Sequence, residues 1–422
     1  MTLRRRLGAY YTPARVVEAA LDALGPPAGA RVVDLACGDG AWLVAAGARW
    51  PDATLEGIDV DGEALRSADR RLSSRAVLRQ GDGLELAVAP ADLIVGNPPW
   101  GIGRGHHVRR GVESASRFVE RALALLRPGG RLCLVLPAAW LEVAAHRADR
   151  ARLVEAAALE RLEPLGDPFP GVFAPAALVI ARREPDAERR ASQSVWTPRG
   201  AVRQAALVAE GWFNPRLSPR ERALLDKLDA RAERLAGRVK FILGVVTGSN
   251  RTALVDEAGE GEPIVTGPDV SALAIRPPRR RLALPLERVQ QAAPRSAYAR
   301  AKVVYRFIAR HPIAAVDRAG RLTLNSANAF AVEDPALDPD FAAGVLNSAP
   351  LRFAHAARWS LPRVLRSHLE RLPLPRASAP ARRAIARLAR SGDRARIDEL
   401  VMDLFALDER ERAELGSAWP RS

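Results

Sequence analysis

The sequence predicts an α/β domain with a seven-stranded, mostly parallel sheet, followed by a second domain of mixed α+β structure. In the first half of the chain, short apolar runs alternate with amphipathic helical segments, the pattern of parallel strands joined by crossover helices. Several of these runs end in glycine or aspartate, as strands do where they face a ligand. In the second half, short strand-like runs alternate with Gly and Pro turns, which indicates a separate domain.

The apolar run 92–95 predicts a buried strand that stops at Gly96, because the two prolines that follow Asn97 cannot continue a ladder. Asn97 offers a side-chain carbonyl, and Pro98 offers a main-chain carbonyl on backbone whose φ is fixed. Two converging acceptors fit an amino group and would aim its lone pair at an electrophile. Trp100 offers a flat face to a planar ring, with packing in the core as the alternative.

A glycine-rich turn, Cys37-Gly38-Asp39-Gly40, follows the first predicted strand, Arg31–Ala36. It lets the backbone approach a ligand, but Leu43 stands where a dinucleotide fingerprint has its third glycine. Asp59 ends the second strand about twenty residues later, where an acid accepts hydrogen bonds from ribose hydroxyls. A ligand with a ribose and no pyrophosphate fits both observations. S-adenosylmethionine is such a ligand, and its amino-acid end would lie near Asp34.

The run Ala76–Gly83 predicts a third strand and turn, in which Asp82 is placed to accept from the cofactor's adenine amine. An Asx turn, in which the carboxylate only caps its own loop, is the alternative. The glycine-rich, basic segment 101–110 suits a loop that touches phosphate, or a plain surface loop. Its His106 and His107 lack Cys, Asp or Glu at metal-ligand spacing, so no metal site is expected.

The composition is strongly basic. The 422 residues include 64 Lys and Arg against 49 Asp and Glu, a net charge of +15 with a pI of about 11.0. This favours a polyanionic partner, most simply nucleic acid, although biased codon usage would also raise the arginine content. Arginine clusters at 276–281 and 358–371 would line a groove for such a partner or form solvated faces.

The two cysteines, Cys37 and Cys133, lie in apolar runs, so no disulfide framework is expected. The basic start of the chain lacks the apolar core of a signal peptide, and no apolar run has the length of a membrane span. We therefore expect a cytoplasmic protein without membrane contact.

With these motifs in order, the chain resembles the gamma-class adenine-N6 DNA methyltransferases, the TaqI-like group, over nearly its full length. The run from Asn97 to Trp100 is similar to the group's catalytic motif. The cofactor motifs of the group are matched by Gly8–Pro13, Asp34–Gly40, Asp59 and Asp82. Weaker matches to the group's target-recognition domain are Thr247–Asn250, Ile264–Asp269, Asn325–Asn328 and Leu346–Ser348.

The resemblance implies a Rossmann-like class I methyltransferase domain over 1–185, a linker with a helix over 186–236, and a target-recognition, DNA-binding domain over 237–422. In the sheet of the first domain, 169–173 and 177–180 are expected to form the last strand pair. The implied cofactor is S-adenosylmethionine, bound by Tyr11, Thr12, Asp34, Ala36, Gly38, Gly40, Asp59, Asp82 and Asn97.

The catalytic residues implied by the resemblance are Asn97, Pro98, Trp100 and Phe169. Phe169 resembles the group's second stacking aromatic for an extruded base, with Phe173 as the runner-up. The sequence departs from the group at two positions: Leu35 stands where proline is frequent and Asp39 where serine is frequent.

The implied reaction is methyl transfer to N6 of a flipped-out adenine in a specific sequence of double-stranded DNA. Two other functions stay open: methylation of another planar amine, in ribosomal RNA guanine or protein glutamine, and a non-catalytic DNA-specificity module. A monomer is expected. The sequence shows no Pro-Asp followed at suitable distance by Glu-x-Lys or Asp-x-Lys, so a restriction endonuclease partner would be encoded separately.

Overall fold

The structure, a computed structural model, describes residues 12–24, 29–100, 114–169, 174–208, 211–359 and 362–418. The chain divides into two compact units, Met1–Pro219 and Arg220–Ser422. The division falls inside the segment 186–236 that the sequence predicts as a linker. Within the described ranges, no helix is both long enough and apolar enough to cross a membrane.

The first unit is built on one seven-stranded sheet, as the sequence predicts. The strands are β1 (Arg31–Asp34), β2 (Thr54–Asp59), β3 (Ala76–Gln80), β4 (Ala91–Gly96), β5 (Leu126–Pro137), β6 (Ala157–Gly166) and β7 (Ala176–Arg183). They lie in the order β3-β2-β1-β4-β5-β7-β6. The first five strands pair in parallel, whereas β7 runs antiparallel to both β5 and β6. A short ribbon, β8 (Ser194–Val195) with β9 (Val202–Arg203), follows.

Helices cover both faces of this sheet. They are α1 (Ala14–Asp22), α2 (Ala41–Arg49), α3 (Gly62–Leu72), α4 (Ser114–Leu125), α5 (Ala138–Glu142), α6 (Arg147–Ala156), α7 (Ala187–Ser192) and α8 (Gln204–Val208). Successive residues of β1 enter different cores: Val32 packs with Leu43, and Val33 packs with Phe118. A strand buried on both faces is a continuous apolar run, which is why the sequence shows it clearly.

The prediction of a strand at 169–173 is wrong. The sixth strand is Ala157–Gly166, Phe169 lies outside any strand, and residues 170–173 are not among those described. The sixth strand lies at the end of the strand order, where part of its side chains stay exposed. Its sequence therefore carries Glu and Arg instead of an apolar run, and the period-two signal is weak.

The second unit is a mixed α+β domain, also as predicted. One four-stranded antiparallel sheet consists of β11 (Val239–Ile242), β20 (Ala327–Val332), β17 (Lys302–Arg306) and β18 (Ala314–Asp317), in that spatial order. Another contains β12 (Leu254–Asp256), β16 (Arg280–Leu282), β13 (Glu262–Val265) and β19 (Leu322–Thr323). Two short pairs are β10 (Ala232–Glu233) with β21 (Leu374–Pro375), and β14 (Val270–Ser271) with β15 (Ala274–Ile275).

The helices of the second unit lie mainly after its sheets. They are α9 (Pro219–Ala230), α10 (Asn250–Ala253), α11 (Arg295–Ala299), α12 (Pro339–Leu346), α13 (Ala349–Arg358), α14 (Arg366–Arg371), α15 (Ala379–Ser391), α16 (Arg394–Leu404) and α17 (Glu409–Ala418). The first of them begins at a proline that follows Ser218, as the sequence predicts, but ends at Ala230 rather than near Leu235.

Candidate active site at the carboxyl ends of the parallel strands

The strand order changes direction between β1 and β4, because the chain builds β2 and β3 on one side of β1 and β4 and β5 on the other. In open parallel sheets this switch leaves a crevice outside the strands' carboxyl ends, where ligands bind. The register pairs Asp34 with Val95, so Asp34 lies beside the start of the Asn97 loop. A small cleft opens here and is lined by Asp34, Gly96 and Pro98.

Gly96 connects β4 to the Asn97 loop, and this position requires glycine for two reasons. Its φ is +149°, a conformation that side chains other than glycine disfavour. A Cβ atom at this position would lie 2.7 Å from the Oδ1 atom of Asp34. The loop therefore approaches the Asp34 carboxylate more closely than any residue with a side chain would allow.

Asp34 is an unusual carboxylate, since its side chain is buried at 1% exposure. The main-chain N–H of Ala36 donates to Oδ1 at 3.0 Å, but Oδ2 has no hydrogen-bond partner among the described residues. Burial, together with Asp59 and Asp39 nearby, raises the pKa of Asp34 from 3.8 to about 8. A buried acid with an unused oxygen in a cleft fits a cation, and the ammonium group of S-adenosylmethionine is one.

The glycine turn and Asp59 form one hydrogen-bonded unit. Gly38 and Gly40 have φ values of +52° and +80°, so both positions require the freedom of glycine. The N–H of Gly38 donates to Oδ2 of Asp59 at 2.7 Å, and the N–H of Asp61 donates to Oδ1 at 2.9 Å. Burial raises the pKa of Asp59. Each carboxylate oxygen has a second lone pair, so Asp59 can still accept from ribose hydroxyls.

Two other predicted cofactor residues have defined places. Thr12 is buried, and its Oγ1 atom accepts from the indole N–H of Trp42 at 3.3 Å, which ties the amino-terminal motif to the helix after the glycine turn. Asp82 is exposed, and its Oδ1 atom accepts from the N–H of Leu84 at 2.9 Å, the bond of an Asx turn. That bond leaves a second oxygen for the cofactor's adenine. Tyr11 lies outside the described residues.

The proposed catalytic loop brings two aromatic rings together. Asn97 and Trp100 are half-buried, and Pro98 is buried. The ring of Trp100 meets that of Phe169 edge to face, with centroids 5.3 Å apart at 75°. Phe169 is only 4% exposed and belongs to a hydrophobic core. The runner-up, Phe173, lies outside the described residues, so of the two candidates only Phe169 has a described position.

Some residues that shape the site escaped sequence reasoning. Phe118 of α4 lines the cleft although it lies 22 positions beyond Gly96. A buried network fixes this helix: Ser116 Oγ donates to Asp149 at 2.7 Å and accepts from the indole of Trp140 at 3.0 Å. His146 Nδ1 lies 3.1 Å from the same hydroxyl. These groups are distant in sequence, so no local spacing indicates the network.

Comparisons with known proteins agree with this geometry. Residues 17–142 match the family model of the methyltransferase small domain, and residues 262–374 match the TaqI-like C-terminal specificity domain. The fold and the site thus define a class I methyltransferase domain, for which S-adenosylmethionine is the methyl donor. The chain joins this domain to a TaqI-like specificity domain, which confirms the resemblance found in the sequence.

The chain is similar to three curated relatives. Type II methyltransferase M.XamI of Xanthomonas campestris pv. amaranthicola is 30% identical over 42% of this chain and 39% of the relative. Type II methyltransferase M.TthHB8I of Thermus thermophilus is 30% identical over 40% and 43%. Ribosomal RNA small subunit methyltransferase C of Chromohalobacter salexigens is 36% identical over 30% and 39%. The matches therefore span about two fifths of the length of each relative.

Proposed function

We propose that this protein transfers a methyl group from S-adenosylmethionine to N6 of adenine in a specific sequence of double-stranded DNA. One observation carries the proposal: the run Asn97-Pro98-Pro99-Trp100 leaves β4 at the strand-order switch, beside a buried carboxylate that suits a cationic cofactor. Acceptors for an amino group and a place for the methyl donor are thereby next to each other.

In this mechanism the Asn97 side-chain oxygen and the Pro98 carbonyl accept hydrogen bonds from the adenine amine. They hold its lone pair away from conjugation with the ring and toward the methyl donor, and this alignment supplies most of the rate. S-adenosylmethionine supplies a methyl group on a positively charged sulfur that leaves as a neutral thioether. The methylated nitrogen would lose its extra proton to water, so no residue of this chain is needed as a strong base.

The remaining site residues would bind the cofactor. Asp34 holds the ammonium group, the turn at Gly38 and Gly40 follows the amino-acid end, and Asp59 accepts from the ribose hydroxyls. Tyr11, Thr12, Ala36 and Asp82 complete this set. The assignment of Tyr11 rests on the sequence resemblance alone, and Asp34 has the strongest support because its Oδ2 atom is buried and unused by the described chain.

The adenine must leave the duplex to reach Asn97, at a cost of a few kcal/mol. Stacking on Trp100 would offset part of this cost, since base–aromatic stacking contributes about 1–3 kcal/mol. Phe169 supports Trp100 edge to face and would offer a face of its own only after turning out of the core. We therefore assign the principal stacking role to Trp100.

Duplex DNA is the favoured substrate because the second half matches a TaqI-like specificity domain. The charge distribution supports the same choice. Residues 220–422 contain 35 Lys and Arg and 24 Asp and Glu, so they carry +11 of the chain's net charge of +15. We propose a cytoplasmic monomer that acts on DNA without a nuclease activity of its own. A cognate restriction endonuclease would be a separate protein.

A second candidate substrate is the guanine amine of ribosomal RNA. The observation that favours it is the 36% identity to ribosomal RNA small subunit methyltransferase C, which covers 30% of this chain. A protein glutamine offers a similar planar amide. A purely DNA-binding module without catalysis is the third alternative, and it predicts that S-adenosylmethionine does not bind.

The experiment offers tritiated S-adenosylmethionine with duplex DNA, ribosomal RNA or ribosomal proteins. We expect label on DNA adenine only. Asn97→Ala should lower turnover roughly 10²-fold or more and leave the Kd for the cofactor nearly unchanged, because it removes only an amine acceptor. Gln193→Ala serves as the control, because it removes an amide that donates to the carbonyl of Ser194 and is not among the residues lining the cleft. Label on RNA or protein alone, or full activity of Asn97→Ala, would contradict the proposal.

A further inference from the structure

We infer that one end of the sheet β11-β20-β17-β18 reads the base sequence of duplex DNA. It is the end at which β11 and β17 finish and β20 begins. We name it the amide surface; its members are the exposed residues Leu243, Asn250, Gln290, Gln291, Ile308 and Asn325. Its role rests on the proposed function, because it selects the DNA site that the first unit would methylate.

Main-chain pairing brings the amide surface together from separate segments. Val245 bridges to Leu324, and Val246 bridges to Gln291. The N–H of Asn325 donates to the carbonyl of Val245 at 3.0 Å. The N–H of Phe307, which follows β17, donates to the carbonyl of Ser326 at 3.0 Å. The segments 243–250, 289–293, 307–310 and 324–328 therefore meet at one edge of the sheet.

In the second unit, all exposed amide side chains of the described residues lie on the amide surface. Residues 220–422 contain six Asn and Gln. Four of them are exposed, and all four belong to the amide surface. The other two are buried and bind main chain: Asn328 Oδ1 accepts from Gly244 at 2.9 Å, and Asn347 donates to Ala314 at 2.7 Å. Asn and Gln pair with adenine through two hydrogen bonds in the major groove, so this grouping suits base reading.

One of these amides has a local hydrogen bond that orients it: Thr247 Oγ1 donates to Asn250 Oδ1 at 2.6 Å. Gln290 lies beside Gly248, with its Oε1 atom 3.6 Å from where a Cβ would stand. At Gly244 a Cβ would lie 2.2 Å from the carbonyl oxygen of Leu324, so only glycine permits this crossing. An oriented amide loses less entropy on binding than a free one.

Two exposed apolar side chains lie among the amides. Ile308 is 64% exposed and Leu243 is 41% exposed, the former being the most exposed large hydrophobic side chain in the described chain. Single exposed apolar side chains are common on protein surfaces, but these two lie beside exposed amides and give the same surface apolar groups to offer a partner. In a DNA groove they would contact thymine methyl groups, which distinguish thymine from cytosine.

The charges near the amide surface favour a polyanion. The segments 243–250, 289–294, 307–313 and 324–328 contain neither Asp nor Glu. Arg310 is exposed and forms no ion pair with any residue that the structure describes. By contrast, some arginines of the predicted clusters pair within the unit, as Arg358 does with Asp229 and Arg280 with Asp256. Arg310 is therefore available to a DNA phosphate.

The test compares full-length variants on DNA. Gln290→Ala, Asn325→Ala and Asn250→Ala are each assayed with cognate duplexes and with duplexes changed at one base pair, and methylated positions are mapped in DNA from expressing hosts. We expect at least one variant to lose about tenfold or more of its discrimination at one base position. Arg310→Ala should weaken binding on all sequences alike and reduce the slope of log K against log salt by about one.

Arg376→Ala is the matched control, since Arg376 is exposed in the same unit and lies at the other end of the sheet region, beside β10. It should change the salt slope much less than Arg310→Ala does. If the wild-type protein methylates DNA and all three amide variants keep its recognition sequence and rates, the inference is overturned and the proposed function stands. If the wild-type protein methylates no DNA, both fail. Thermal unfolding and cofactor binding of the variants confirm that they fold.

Discussion

Two carboxylates of the first unit and two of the second are held in different ways. In Met1–Pro219, the buried Asp34 and the half-buried Asp59 accept hydrogen bonds from main-chain N–H groups. In Arg220–Ser422, Asp317 and Asp334 pair with basic side chains, Lys302 and Arg238, at 2.6 Å each. Asp34 and Asp59 form no ion pair with a described residue, so a cationic ligand can pair with them, whereas Asp317 and Asp334 are already paired.

The position of these ion pairs within the second unit is also informative. Asp317 ends β18 and Arg238 precedes β11, so both pairs lie at the end of the sheet away from the amide surface. Further pairs at that end join Glu233 to Arg382. Asp317, Asp334 and Glu233 thus lie away from the amide surface. A cationic cofactor favours an acid that has no cationic partner, and DNA favours a surface without acids.

The largest effect is expected in the buried ion pair of the second unit. Lys302 and Asp317 are 0% and 1% exposed in their side chains. Lys302→Met leaves Asp317 buried without its cation, which should destabilise the second unit by about 3–5 kcal/mol. Native-state hydrogen exchange of β17 measures this. The control is the double variant Lys302→Met/Asp317→Leu, in which the protection of the β17 amides against exchange should be restored. Wild-type protection in Lys302→Met alone would show that Asp317 does not depend on Lys302.

The next effect concerns the cleft of the first unit. Gly96→Ala would place a methyl group 2.7 Å from Asp34 Oδ1 on backbone with positive φ. We expect a loss of about 2–4 kcal/mol in stability and a cofactor Kd raised at least tenfold. Gly129→Ala is the control, because Gly129 also has positive φ but open space around it, and it should cost about 1 kcal/mol. Equal losses in both variants would exclude the close approach as the cause.

A smaller effect, with a pH signature, follows from Asp34. Since its pKa is about 8, Asp34 is mostly protonated at pH 7 in the free protein. An ammonium beside it favours the carboxylate and lowers this pKa, so cofactor binding should release up to about one proton and strengthen as pH rises from about 6 to 7.5. Titration calorimetry in buffers of different ionisation enthalpy measures the release.

Asp34→Asn should abolish the proton release and weaken cofactor binding about tenfold. Asp52→Asn, at an exposed position of the same unit, should leave both quantities unchanged. Proton release that persists in Asp34→Asn would place the responsible group elsewhere.

How far the sequence predicts the structure depends on burial and distance. The runs of β1 and β4 were predictable because parallel strands buried on both faces have largely apolar sequences. The sixth strand was missed because an edge strand carries charged residues. Within the site, Gly96 and Asn97 were found because they are neighbours in the chain.

Contacts between distant segments set the limit of sequence reasoning. The unused oxygen of Asp34 depends on how β1 and β4 pack, and no residue pattern expresses it. The four amides of the amide surface come from three separate segments that only main-chain pairing unites. The weak resemblance at Thr247–Asn250 and Asn325–Asn328 indicated two of these segments but gave no reason to connect them with Gln290.

The smallest effect concerns Asp39, a carboxylate of the first unit that does have a basic partner. Both side chains of this ion pair are partly exposed to water. Arg71 donates to the carbonyl of Asp39 at 3.0 Å and pairs with its carboxylate at 2.6 Å, although 41% of the Arg71 side chain is exposed. Exposed ion pairs contribute little to stability, about 0.2–1 kcal/mol. Arg71→Ala should therefore raise the cofactor Kd only about twofold, by loosening the glycine turn, whereas the neighbouring Arg70→Ala should have no effect. A tenfold change in Arg71→Ala would mean that Asp39, which has a basic partner, matters for cofactor binding as much as Asp34, which has none among the described residues.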